Sequence, residues 1–206
     1  MPDKFSLYKQ SLIEWQDYSA QFVGHVDPVW KELDLPWEQT FCIEEIPAGD
    51  NWGNFSSNFH MWLEERFLEW GNIKEATEHY MSFNPQLNFD ATAIFNIIGC
   101  SKYVYNFIKI PPGRLIPWHC DTYAYFVKRF DLGADTVPTV KRAVVCMTDW
   151  SFGQTIQIGD SVLSHWKAGD IYSWKHEAWH GAANFGNKSL KLMQVTYNDY
   201  SNTSKS

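Results

Sequence analysis

Long apolar runs are absent from this chain, and its basic residues are fewer than its acidic ones. No stretch approaches the ~18 consecutive apolar residues of a membrane-spanning helix, so we predict no membrane partner. The first five residues lack the apolar core of a secretory signal peptide. With 17 Lys and Arg against 24 Asp and Glu, the net charge of −7 argues against nucleic acid as the main partner.

Cysteine is also scarce, and no two cysteines have the C-x-x-C spacing. The four cysteines therefore indicate neither a zinc ribbon nor a disulfide framework, and we expect a cytoplasmic protein. What the chain does have is 45% hydrophobic and 17% aromatic residues, which is typical of a folded protein. Its length suits one domain, residues 1–200, followed by a flexible Ser/Asn/Thr-rich tail at 201–206.

The two halves of the domain differ in their patterns. Residues 1–100 favour mainly helical support, with apolar residues at helical spacings and one strand at 39–47. The predicted helices are 4–22, 27–33, 57–72 and 74–82.

Residues 101–197 favour a core of short strands separated by turn residues. The predicted strands are 102–110, 115–121, 140–148, 154–158, 161–165, 170–175, 180–184 and 189–197. A mainly helical first half followed by a strand-rich second half predicts an α+β fold. In this fold, helices would buttress a β-sandwich or an open β-barrel.

One motif in the second half of the chain indicates a chemical function. His119 and Asp121 are two residues apart, and His180 follows at the start of a later predicted strand. On a strand, residues i and i+2 point to the same side. Two histidines and one carboxylate are the ligands of non-haem Fe(II) centres that keep coordination positions open. An H-x-D pair is weak evidence by itself, because His25 and Asp27 form a second one that we interpret as a helix start.

A competing motif overlaps the last histidine. Residues 176–180 match H-E-x-x-H, a zinc-peptidase signature that functions only on a helix. The preceding strand-like run, the following Gly181 and the lack of a downstream Glu or His ligand argue against that interpretation. His176 nevertheless remains an alternative to His180 as the distal ligand.

At these residues the chain resembles the Fe(II)/2-oxoglutarate-dependent oxygenases, near the small bacterial and viral members close to the aspartyl/asparaginyl and prolyl hydroxylases. The likeness covers residues 103–197, and its anchors are residues 112–121, 142–150, 166–170 and 180–186. It implies a double-stranded β-helix (a cupin-like jelly roll) and Fe(II) held by His119, Asp121 and His180. It also implies 2-oxoglutarate and molecular oxygen as co-substrates, ascorbate as a reductant, and hydroxylation of an amino-acid side chain, small amine or peptide.

The resemblance further implies a basic residue some nine to twelve positions past the distal histidine, to pair with the far carboxylate of 2-oxoglutarate. Lys191 and Lys188 are candidates, and Arg142 is a third whose fork suits a carboxylate. If 189–197 alternate, Lys191 shares a face with Met193 and Val195, which we expect to be the barrel interior.

Two alternatives stay open. One is a cupin-like metalloprotein, an isomerase or a dioxygenase, that does not use 2-oxoglutarate. The other is a non-enzymatic β-barrel binding module with an aromatic-lined cavity and no metal.

Overall fold

A computed structural model describes the second half of the chain almost completely and the first half in part. The described residues are 19–31, 33, 35, 40–41, 76–77, 79–119, 121, 123–133, 139–176 and 178–198. Most of the predicted helix 4–22 and all of the predicted helix 57–72 lie outside these ranges. Within them, no helix is long and apolar enough to cross a membrane.

The described residues form eleven strands and two short helices. The strands are β1 (Gln21–His25), β2 (Thr40–Phe41), β3 (His79–Phe83), β4 (Lys102–Ile110), β5 (Arg114–His119), β6 (Val140–Cys146), β7 (Gln154–Ile158), β8 (Ser161–Leu163), β9 (Asp170–Lys175), β10 (His180–Asn184) and β11 (Leu190–Asn198). The helices are α1 (Thr92–Ile98) and α2 (Ala124–Arg129).

The strands make two antiparallel sheets. The larger has the order β1-β9-β6-β11-β4-β3-β2, and the smaller has the order β5-β10-β7-β8. From β4 to β11 the chain passes back and forth between the sheets, so that β4, β6, β9 and β11 lie in one and β5, β7, β8 and β10 in the other. This strand order is the double-stranded β-helix, and it confirms the fold class that we predicted.

The larger sheet separates two apolar cores. One lies between the sheets, where residues such as Val144 and Leu192 of the larger sheet meet Ile156 and Ile158 of β7. The other lies on the outer face, where Val145, Met193 and Val195 pack with residues of α1 and with Trp30. Since alternate residues of a strand point to opposite faces, β4, β6, β9 and β11 each contribute to both cores.

Several predictions for the first half are wrong within the described residues. Residues 79–82 belong to strand β3, and not to a helix, because β3 is hydrogen-bonded to β4 in the larger sheet. Residues 21–22 begin strand β1, which pairs with β9. The segment after Pro28 makes turns, with the Lys31 amide donating to the Pro28 carbonyl, instead of a helix.

In the second half, all eight predicted strands are present, with bounds that differ by at most two residues. Neither described helix was predicted. Residues 80–83 of β3 pair with β4 along one edge, whereas local helical spacing is only a weak preference, so the tertiary contact decides the structure there.

Two glycines in left-handed conformations provide a test of these packing constraints. Gly169 has φ +99°, and an added Cβ would lie 1.9 Å from the Val26 carbonyl oxygen, whereas Gly113 has φ +75° and open space around it. We expect Gly169→Ala to lower the free energy of unfolding by about 3 kcal/mol or more, since backbone must move, and Gly113→Ala by only about 1 kcal/mol. Urea denaturation followed by Trp fluorescence would measure both, and equal effects would contradict the close approach.

Candidate metal centre

The two histidines of the motif meet across a strand pair. His119 ends β5, His180 begins β10, and the two residues are direct partners in the antiparallel pairing. Their ring centroids are 4.4 Å apart. The rim of the smaller sheet thus brings together two imidazoles that are 61 positions apart in the chain.

A β-bulge gives His119 its orientation. Ala182 pairs with Ile116 and His180 pairs with His119, so β5 advances three residues while β10 advances two. Ile116 and Ala182 contact the core between the sheets. In a regular strand Ile116 and His119 would face opposite sides, but the extra residue turns His119 to the same side. The bulge includes Pro117, which has no N–H to donate to a strand ladder.

Asp121 completes the cluster from just beyond the end of β5. Its Oδ1 lies 3.7 Å from His119 Nε2, and its Oδ2 lies 3.1 Å from His180 Nε2. One ligand atom from each of the three residues lies within 4.8 Å of the others. The side chains of His119, Asp121 and His180 are only 15%, 10% and 7% exposed, so the three donors converge in a largely dehydrated place.

The hydrogen bonding of His180 favours a cation at this point. Its Nδ1 donates to the Ala178 carbonyl at 2.8 Å, so the Nε2 lone pair of the neutral ring faces the cluster. That Nε2 is buried and has no aligned hydrogen-bond partner in the described part of the chain. A lone pair 3.1 Å from a carboxylate oxygen is repulsive unless a positive ion lies between the two. The residues therefore fit a metal ion.

Arg142 lies directly beside the cluster. It belongs to β6 of the larger sheet, and its Nε is 2.7 Å from Oδ2 of Asp121. The guanidinium is almost fully buried and stacks over the ring of Tyr123, with 5.3 Å between Cζ and the ring centroid. The contact joins the two sheets at the rim of the barrel.

The charge of Arg142 governs the protonation of Asp121. Burial by itself would raise the pKa of the Asp121 carboxyl, but in the metal-free site the positive charge of Arg142, together with His180 and His119 in their protonated forms, outweighs burial and holds that pKa well below its ordinary value. Asp121 is consequently ionised at neutral pH, which is the state in which a carboxylate binds a metal.

The two lysines proposed to bind 2-oxoglutarate do not join this cluster. Lys191 shares a face with Met193 and Val195, as the alternation predicts, but that face packs against α1 and Trp30 on the outside of the barrel. Lys188 lies in the turn between β10 and β11, at the end of the sheets away from His180. Of the three basic candidates, only Arg142 contacts the triad.

The strand boundaries also show where the H-E-x-x-H motif and the second H-x-D pair lie. Residues 170–175 and 180–184 are strands, so the H-E-x-x-H pattern between them is not on a helix. His176 lies in the turn that follows β9. The second H-x-D pair has a structural role, because His25 Nδ1 contacts Asp170 at 2.8 Å where β1 pairs with β9.

Aromatic side chains complete the surroundings of the triad. The Trp174 ring lies 5.2 Å from that of His180, and Trp174 pairs with Arg142 in the sheet. Tyr123 is in the left-handed conformation with φ 55°, which is costly for a bulky residue and concentrates at functional sites. The ion pair of Arg142 with Asp121 had no signal in the sequence, because it depends on how the two sheets face each other.

Solved structures similar to this chain include proteins of the same fold. The cupin domain of Cnp3 from Schizosaccharomyces pombe has 7% identity over 59% of this chain and 61% of that chain, with a TM-score of 0.37. A Thermotoga maritima protein described as a predicted oxalate decarboxylase has 16% identity over 59% and 81%, with a TM-score of 0.37. A Klebsiella pneumoniae protein with a double-stranded β-helix domain has 18% identity over 62% and 88%, with a TM-score of 0.37.

No family model matches the chain, and no curated protein matches it. The similar region spans 61% of the Cnp3 chain, which is less than two thirds of its length. At these identities the similarities concern the fold alone. The strand order itself is that of a double-stranded β-helix.

The Arg142–Asp121 pair can be tested in the metal-free protein. Removing the guanidinium in Arg142→Met leaves a buried carboxylate without its cation, so we expect the free energy of unfolding at pH 7 to fall by roughly 3 kcal/mol. Adding Asp121→Asn should recover much of this loss, which a double-mutant cycle by urea denaturation would detect. The exposed Arg129→Met is the matched control, and additivity of the two site substitutions would contradict the pairing.

The same pair predicts a pH dependence. Because the pKa of folded Asp121 is depressed, its contribution to stability is complete above the ordinary carboxyl value of about 3.9 and is lost as the pH falls below that value. The stability difference between the metal-free protein and its Arg142→Met variant should therefore shrink as the pH is lowered from 7 to 3. A difference that stays constant over this range would exclude the charge of Asp121 as its cause.

Proposed function

We propose that this chain is a mononuclear metalloenzyme whose metal is held by His119, Asp121 and His180. The observation that carries the proposal is the convergence of two imidazole nitrogens and one carboxylate oxygen within 4.8 Å in a buried place. This donor set, with three positions left open, is the one that non-haem Fe(II) enzymes use, so Fe(II) is the metal we propose. Bound there, the iron would supply activation of molecular oxygen toward a small-molecule or peptide substrate.

The surrounding residues have definable roles in such an enzyme. The Ala178 carbonyl fixes the tautomer of His180 so that Nε2 is the coordinating nitrogen. Arg142 pairs with Oδ2 of Asp121, which keeps the carboxylate in one orientation beside the two imidazoles. The rings of Trp174 and Tyr123 exclude water from the triad and from the guanidinium. Together they pre-organise the ligands before a substrate arrives.

Two types of reaction are compatible with a metal at this centre. The first is that of a cupin metalloprotein, an isomerase or a dioxygenase, which needs no 2-oxoglutarate. It is favoured by the position of Lys188 and Lys191 away from the triad and by the pairing of Arg142 with a metal ligand.

The second chemistry is 2-oxoglutarate-dependent hydroxylation of an amino-acid side chain, small amine or peptide, with ascorbate as a reductant. One observation favours it. The buried guanidinium of Arg142 lies close enough to the triad to contact a co-substrate bound at the metal. A carboxylate of 2-oxoglutarate would then have to replace Asp121 Oδ2 as a partner of Arg142 or share the guanidinium with it.

Metal content tests the proposal directly. We expect the purified protein, reconstituted anaerobically with Fe(II), to retain close to one equivalent of iron, and His119→Ala, Asp121→Ala and His180→Ala to lose at least ~100-fold in affinity because each removes a ligand. His176→Ala is the matched control, since it removes a nearby histidine from the turn after β9. Elemental analysis after gel filtration would measure both.

Equal iron retention by wild type and the three ligand variants would refute the centre and favour the non-enzymatic binding module. Loss of iron in His176→Ala, with His180→Ala unaffected, would assign the distal ligand to His176 instead.

Calorimetry distinguishes the two chemistries. With the iron-loaded protein kept anaerobic, we expect 2-oxoglutarate to give no saturable heat if the protein is a cupin enzyme that does not use it. Saturable binding that is lost at least ~10-fold in Arg142→Met would instead establish the 2-oxoglutarate-dependent chemistry. Iron-dependent formation of succinate would confirm that outcome, and Arg129→Met serves again as the control.

A further inference from the structure

A row of polar side chains crosses the inner face of the larger sheet. Thr196 of β11, Arg142 of β6 and Trp174 of β9 are direct partners in the strand pairing. Direct partners point to the same face of a sheet, and Trp174 belongs to the core between the sheets, so all three side chains face that core. Each of the three residues is buried, with at most 8% of its surface exposed.

Apolar side chains flank this row on both sides. Val140 precedes Arg142 by two residues on the same face of β6 and packs with Val104. Val144 follows Arg142 by two residues and packs in the core between the sheets. The valines offer no side-chain acceptor, and polar groups between apolar clusters are costly to bury unless acceptors are available to them.

The protein itself does not use most of the donors of this row, as far as the structure describes the chain. Trp174 Nε1 is buried and has no hydrogen-bond partner. The guanidinium of Arg142 contacts Asp121 Oδ2 at 2.7 Å and makes no other ion pair among the described residues, and the hydroxyl of Thr196 makes no hydrogen bond with them. Buried donors without acceptors are rare in native proteins, and each such group indicates a functional role or a bound partner.

The row lies directly against the candidate metal centre. The indole ring of Trp174 is 5.2 Å from the imidazole of His180, and Arg142 contacts Asp121. His180 Nε2, which would bind the metal, is enclosed in the same way as Trp174 Nε1. A molecule bound at the metal would therefore lie next to the unused donors.

We propose that the row binds a carboxylate of the molecule that binds at the metal, and that Trp174 and Thr196 determine this specificity. The proposal rests on the metal centre proposed above. A guanidinium and an indole N–H only donate hydrogen bonds, and a hydroxyl can donate one as well. Carboxylate oxygens only accept, and Arg142 adds a positive charge, so a carboxylate suits the row. An ammonium group would instead meet donors and a like charge, so the row selects an organic acid over an amine.

Titration of the Co(II)-loaded protein tests this specificity, with the d–d absorption of cobalt as the readout. Acetate and methylammonium are the probes, since they are similar in size and opposite in charge. We expect acetate, but not methylammonium, to change the spectrum saturably. Its dissociation constant should rise ~10-fold or more in Trp174→Phe and in Thr196→Val, because each substitution removes a charge-assisted hydrogen bond. Since phenylalanine is smaller than tryptophan, a further variant replaces Trp174 by 3-benzothienylalanine, which keeps the bicyclic ring and removes only the N–H.

The matched controls are Trp166→Phe and Thr155→Val. Trp166 is as deeply buried as Trp174, but its Nε1 already donates to the Thr148 carbonyl at 3.1 Å. Thr155 precedes the inward-facing Ile156 in β7 and so lies on the outer face of the smaller sheet. We expect both controls to bind acetate as wild type does, and every variant to retain one equivalent of cobalt.

Three results with cobalt bound would overturn this inference and leave the metal centre standing: no saturable response to acetate, an equally strong response to methylammonium, or unchanged acetate affinity in the benzothienylalanine variant. Failure of the wild type to bind cobalt would overturn the metal centre and this inference with it. Titration with 2-oxoglutarate identifies the source of the carboxylate. Binding that is tighter than that of acetate, and weakened in the same variants, assigns the row to a co-substrate, and any other result assigns it to the substrate.

Discussion

The pairing of β5 with β10, with its bulge next to Pro117, is the constraint on which the candidate centre depends. Without the extra residue in β5, His119 would face away from the core that Ile116 and Ala182 contact. With it, two imidazoles and the following carboxylate converge at the rim of the smaller sheet. Strands hold the two histidines and Asp121 follows β5 directly, so a metal would meet ligands that are already in place.

Arg142 gives this rim its electrostatic character. A buried guanidinium next to a carboxylate keeps the carboxylate ionised, and it also limits what else that guanidinium can bind. The two chemistries proposed for the metal-bound site therefore differ in what Arg142 must bind. The larger sheet contributes in two ways, because one face carries Arg142 and the other packs against α1 and Trp30.

Much of the second half was predictable because its signals are local. Alternating residues, glycine turns and the absence of helical spacing were enough to find β4 to β11, since each strand carries its own pattern. The first half was predicted less well. Residues 79–82 had helical spacing, yet they form β3 because residues 106–109 of β4 pair with this segment.

By itself, the sequence determined the candidate ligands, their order, and which residues of each second-half strand share a face. The alternation of Lys191 with Leu190 and Leu192 was correct, but only the packing of α1 against the larger sheet decided that the lysine's face is the outer one. Likewise the H-x-D pair and His180 could be recognised in the sequence. Their convergence required the bulge and the pairing of two strands that are distant in the chain. The periodicity of a strand shows that its two faces differ, but only tertiary contacts decide which of the two faces is buried between the sheets.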